Sequence, residues 1–127
     1  MAQPSNYHVT LLPSAARTVT PTDATLVQDQ ACVSIVHLVI DVTACTPGAS
    51  IQPTIEGWDD TSGTYYSIYT YAPLTQVGRV RLGIGPGLEA GPSVADALPH
   101  RWRMGMIHAD AKPVTYSVGA NVMVLTP

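Results

Sequence analysis

"CVSIVHLVIDVTA", residues 32–44, sets Val36, Leu38, Ile40 and Val42 on one face of an extended chain and Ile35, His37, Val39 and Asp41 on the other. Both faces are largely apolar, which is the pattern of a central strand with neighbours on each side. Working outward, "TPGAS" (46–50) makes a turn, and "IQPTIEGW" (51–58) alternates Ile51 and Ile55 against Gln52, Thr54 and Glu56. "TYYSIYTYA" (64–72) alternates in turn, with Tyr66, Ile68 and Thr70 opposed to Tyr65, Ser67, Tyr69 and Tyr71. "VGRVRLGI" (77–84) opposes Val80, Leu82 and Ile84 to Arg79 and Arg81, the period of a half-buried strand with a basic outer face.

The connection "GPGLEAGPSVADALP" (85–99) carries three glycines and three prolines, so only "SVADAL" has room for a single helical turn. "HRWRMGMIHA" (100–109) follows, with Trp102, Met104 and Met106 against Arg101, Arg103 and Ile107. "KPVTYSVGANVMVL" (112–125) closes the chain with Val114, Tyr116 and Val118 on one face. Upstream, "RTVTPTDATLV" (17–27) reads as an extended stretch that Pro21 confines to an edge or a break. Residues 1–16 show no period, and we expect an irregular arm whose Val9, Leu11 and Leu12 lie across a partner. The expected architecture is all-β: an antiparallel β-sandwich of seven or eight strands, jelly-roll or immunoglobulin-like, over residues 17–127 behind that arm.

A chain of 127 residues suits one domain with a single core. Charged residues make up 12% of it, against a usual ~25%, so the surface is poorly self-repelling and suited to packing against other chains. A net charge of −3 offers no cationic field for a phosphate backbone, which excludes nucleic acid as a partner. The first residues lack the charged and apolar regions of a secretory signal, and "VHLVIDV" falls far short of the ~20 residues of a membrane span. The expectation is synthesis in the cytoplasm without a membrane anchor. Cys32 and Cys45 flank the central strand, some 35 to 40 Å apart at ~3.3 Å per residue, whereas a disulfide needs about 4.4 to 6.8 Å. They read as two small thiols.

Chemistry-bearing motifs are weak. "WDDTSGT" (58–64) brings two carboxylates together, but Asp, Ser and Gly are the residues turns demand, and the spacing lacks the alternating ligands and distal Glu of a calcium loop. Adjacent carboxylates on a strand also point to opposite faces. Of the four histidines only His108, with Asp110, has a ligand-like spacing, too short a pattern for zinc. "GPGLEA" (85–90) matches a dinucleotide loop but lacks the helix and βαβ unit that loop requires. There is no nucleophile elbow or catalytic cysteine motif, so no catalytic residue, cofactor or metal ligand is assigned. Two features remain open. Tyr65, Tyr69 and Tyr71 line the outside of one strand if Ile68 points inward, forming either a rim cover or a platform for a partner or a sugar. Trp102 reads as core, while Arg101 and Arg103 flank it as candidates for ion pairs across an interface.

Taken together, "VHLVIDVTA", "PTIEGWDDTSGTYYSI", "VRLGIGPGL" and "LPHRWRMGMIHADAKPVTYSVGANVMV" resemble small β-sandwich virion proteins of tailed bacteriophages, especially those infecting actinobacteria. The resemblance spans roughly residues 14–125. It implies a structural role on the virion exterior, as a capsid decoration (cement or minor capsid) protein bound outside the lattice of the major capsid protein, and carries no active-site residues. Cys32, Cys45 and "NYHVTLL" (6–12) have no counterpart in that pattern. A homo-oligomer, dimer or trimer, fits the task, because avidity over a repeating lattice multiplies modest contacts. Alternative expectations are a tail or neck protein and a carbohydrate-binding module that stacks a host-surface glycan on the tyrosines.

Overall fold

The computed structural model describes residues 5–21, 25–27, 33–85, 93–94 and 101–125. Among them the regular elements are all strands: β1 (Ser5–Arg17), β2 (Thr25–Val27), β3 (Val33–Cys45), β4 (Ile51–Asp59), β5 (Thr64–Thr70), β6 (Gly78–Ile84), β7 (Ser93–Val94), β8 (Arg101–His108) and β9 (Val114–Leu125). Seven are long, and β2 and β7 are short edge pieces. No helix of the described residues is long and apolar enough to cross a membrane.

Two sheets form, with strand orders β1-β9-β3-β6-β7 and β2-β8-β4-β5. β6 and β7 are parallel, and every other pair is antiparallel. The pairs β1/β9, β2/β8, β3/β6 and β4/β5 are nested, so the chain is one long hairpin, folded at residues 60–63, that has rolled up on itself. Rolling then joins β9 to β3 and β8 to β4. That order is the jelly roll, which decides between the two sandwich types the sequence leaves open.

The core lies between the sheets. Val36, Leu38 and Ile40 of β3 and Val118 of β9 are fully buried, facing Ile51 of β4 and Trp102 and Met106 of β8 across the interior. β3 is the middle strand of the larger sheet, and its apolar second face, including Val39, is half-buried.

The expected arm is a strand. β1 runs antiparallel to β9 along the edge of the larger sheet, with Leu11 and Leu12 buried and Val9 half-buried against the same core. Its register with β9 shifts between Thr10 and Leu12 and again between Leu12 and Ala15. A bulge turns two consecutive residues inward, which erases the alternation that would have marked a strand. "SVADAL" is corrected likewise: Ser93–Val94 extends beside β6, while the rest of that stretch lies outside the described residues. Cys45 is a free thiol at the end of β3, and Cys32 lies outside the described residues.

Candidate functional site

The exterior of the four-stranded sheet carries the densest side-chain cluster. β4 and β8 alternate cleanly, so Thr54 and Glu56 stand on the outer face in register with Gly105 and Arg103, and Trp58 stands beside Arg101. β5 adds Tyr65 opposite Trp58 and Ser67 opposite Glu56. The Trp58 and Tyr65 rings meet edge to face, with centroids 5.0 Å apart. The Arg101 guanidinium lies 4.5 Å from the Trp58 ring centre and 5.8 Å from that of Tyr65. That of Arg103 lies 3.8 Å from the Tyr65 centre, while Arg103 Nε donates to Glu56 Oε1 at 2.8 Å. Such cation–π contacts contribute about 0.5 to 2 kcal/mol each, depending on desolvation. Arg101 Nε is buried without a hydrogen-bond acceptor, and its guanidinium lies against the two rings.

Next to the Arg103–Glu56 pair the face dips into a groove of about 410 Å³, walled by Ser67 and Thr70 on one side and by Thr20 and Pro21 on the other. Gly105 forms part of the floor: a Cβ there would come within 2.5 Å of Thr54 Oγ1. Ile107, 47% exposed, borders the groove as an apolar lip.

The expected row of three tyrosines does not form on this face. The β4–β5 register shifts between Ile55 and Glu56, so Ser67 faces Glu56 whereas Tyr69 faces Ile55, and Ile68 is the extra residue between them. The bulge reverses the facing of everything after it. Tyr65 stays outside, while Tyr69 and Tyr71 are half-buried against the core, their rings 6.4 Å apart. Thr70, expected to share a face with Tyr66, stands opposite Thr54 on the exterior.

The Asp59–Asp60 pair is a hairpin tip. Asp59 accepts hydrogen bonds from Ser62 Oγ and from the Thr61 and Ser62 amides, which hold its carboxyl below the usual carboxylate range. Gly63 closes the turn at φ 66°. Asp60 accepts instead from Trp58 Nε1 at 2.8 Å, so the two carboxylates serve different partners. His108 and Asp110 likewise diverge: His108 Nε2 meets the Tyr116 hydroxyl at 2.8 Å, and Asp110 pairs with Lys112. Among the described residues no group of three His, Cys, Asp or Glu side chains is placed to hold a metal ion.

No protein-family model and no curated protein matches this chain. The candidate site therefore rests on the geometry above. Of the residues singled out in the sequence, Tyr65, Arg101 and Arg103 come together. Val9, Leu11, Leu12, Tyr69 and Tyr71 serve the chain's own core. Trp58 and Glu56 complete the cluster and were missed. Their signal was the i, i+2 alternation of β4, which becomes informative only once β8 and β5 are known to flank it.

Proposed function

We propose that this chain is a non-enzymatic virion structural protein: a capsid decoration (cement or minor capsid) protein of the tailed-bacteriophage type that adheres, as a dimer or trimer, to the outside of the major capsid protein lattice. The observation that carries this reading is the exterior cluster of Trp58, Tyr65, Arg101 and Arg103 beside the exposed Ile107. Stiff aromatic rings and arginines already fixed in place are the side chains that dominate protein–protein binding energy, because little rotamer freedom is left to lose on docking. The jelly-roll order adds support by analogy, since viral capsid proteins share that architecture with lectins and cupins. Docking by this face would leave the five-stranded sheet toward the surroundings of the particle.

The test is co-sedimentation of the purified protein with undecorated capsids, followed by counting bound copies. A lattice decoration binds in proportion to capsid subunits, whereas a tail or neck protein binds in few copies. Tyr65→Ala and Arg103→Ala should each lower occupancy without unfolding the chain. Full occupancy by the double variant would overturn the assignment of the docking face, and failure of the intact protein to bind capsids at all would overturn the decoration role.

A further inference from the structure

The opposite exterior, that of the five-stranded sheet, holds a second groove, of about 500 Å³. Its floor is Val39 and Gly119, side by side on β3 and β9. The absence of a side chain at Gly119 lets the His8 ring lie close over the backbone, since a Cβ there would meet His8 Cε1 at 2.9 Å. His8 is held in place by Asn121 Oδ1, 3.2 Å from its Nδ1, and by Thr10 Oγ1, 3.4 Å from its Nε2. On the other side stand Asp41, Arg79 and Ser117. The groove thus has a small apolar floor between walls of mixed donors and acceptors.

Charge selects among ligands. The outer face of this sheet's strands carries two arginines, Arg79 and Arg81, against one carboxylate, Asp41, although the chain as a whole is at −3; Arg17 instead donates to the carbonyls of Pro13, Ala15 and Tyr116. Arg79 and Asp41 approach only to 3.8 Å, beyond hydrogen-bond length, with the Arg79 side chain 72% exposed, so most of its guanidinium donors are open. Arg81 lies two residues along the same strand, hence on the same face and roughly 7 Å away, with no ion pair among the described residues. An anion seated on Arg79 also meets the Asp41 carboxylate, so its ligand must carry a hydroxyl that donates to Asp41 as well. A polyol bearing a carboxylate satisfies both: its anion on Arg79 and Arg81, its hydroxyls on Asp41, Asn121, Ser117 and Thr10, and its C–H face on Val39 and Gly119.

We propose that this groove is a binding site for a carboxylate-bearing saccharide. The site is independent of the capsid-docking face, which lies on the other sheet.

The experiment is an amide NMR titration of the intact chain with trigalacturonate and with 3'-sialyllactose. The controls are methyl-esterified trigalacturonate, lactose and acetate. At least one acidic saccharide should perturb the amides of Val39, Asp41, Ser117 and Gly119 below about 10 mM, the affinity of a shallow exposed site. Esterification, Arg79→Gln and Asp41→Asn should each weaken binding by about tenfold, the scale of one charge-assisted contact. Arg103→Gln, on the other sheet, should leave it unchanged. Absence of perturbation by both acidic sugars, equal binding of the neutral ones, equal perturbation by acetate, or shifts confined to the four-stranded sheet would each overturn the proposal. Capsid co-sedimentation is read separately, so either proposal can fail alone.

Discussion

The Arg103 guanidinium lies 3.8 Å from the centre of the Tyr65 ring, although their strands, β8 and β5, are separated by the whole of β4. The contact spans the sheet because Glu56 on β4, holding Arg103 Nε, keeps the side chain extended over its neighbour. A double-mutant cycle of Tyr65→Ala and Arg103→Ala, followed by urea denaturation, should give a coupling of about 0.5 to 1 kcal/mol. Zero coupling would mean that the stack adds nothing beyond its separate contacts.

Leu12 is 2% exposed and stands opposite Val118 inside the core. Leu12→Ala should therefore cost about 2 to 5 kcal/mol, and deletion of residues 5–17 should prevent folding, since it removes an edge strand together with its core residues. A partner-draping arm predicts the reverse: a normal urea midpoint for both, with loss confined to partner binding.

Gly63 has φ 66° and open space where a Cβ would stand, so Gly63→Ala should cost about 1 kcal/mol from backbone strain alone. The Asp59 carboxyl in the same turn titrates below its ordinary value of 3.8. Its hydrogen bonds therefore support the hairpin fully above that pH, and the support fades as the solution is acidified through the lower folded-state value. In Asp59→Ala this acid-dependent part of the melting temperature should be absent; an unchanged acid limb would contradict the capping role.

His108 is held below its ordinary value of 6.5, chiefly by burial and then by the nearby Arg17 charge. The unfolded chain takes up the proton more readily, so stability should be full above pH 6.5 and decline as the pH falls through the lower folded-state value. Its partner Tyr116 is pushed up to about 12, mainly by burial. That contribution is complete below pH 10 and is lost as the pH rises toward 12. Thermal melts across both ranges should show His108→Gln flattening the acid decline and Tyr116→Phe flattening the alkaline one.

Strand content and facing were legible wherever alternation is unbroken. Val36 to Val42, Ile51 to Trp58, Val80 to Ile84 and Arg101 to Met106 all present the faces their period implies. The turn at Asp59 was legible too, because its residues satisfy their own backbone. The face assignments that failed are those that cross a bulge. Leu11 beside Leu12 breaks the period that marks a strand, so β1 reads as an arm, and Ile68 reverses the facing of Tyr69 and Tyr71. A bulge is an extra residue relative to a partner strand, so nothing within the bulged segment alone announces it.

By itself, then, the sequence determined a two-layer β protein with a central strand at residues 32–44 and a hairpin tip within residues 58–64, because side-chain period and turn chemistry are local properties. Only the tertiary structure decided that the long hairpin rolls into a jelly roll, and that Trp58, Tyr65, Arg101 and Arg103 share one face while His8, Asp41, Arg79 and Asn121 share the other. Those groupings depend on which strands become neighbours and in what register, and that is settled by burying one common core from residues far apart along the chain.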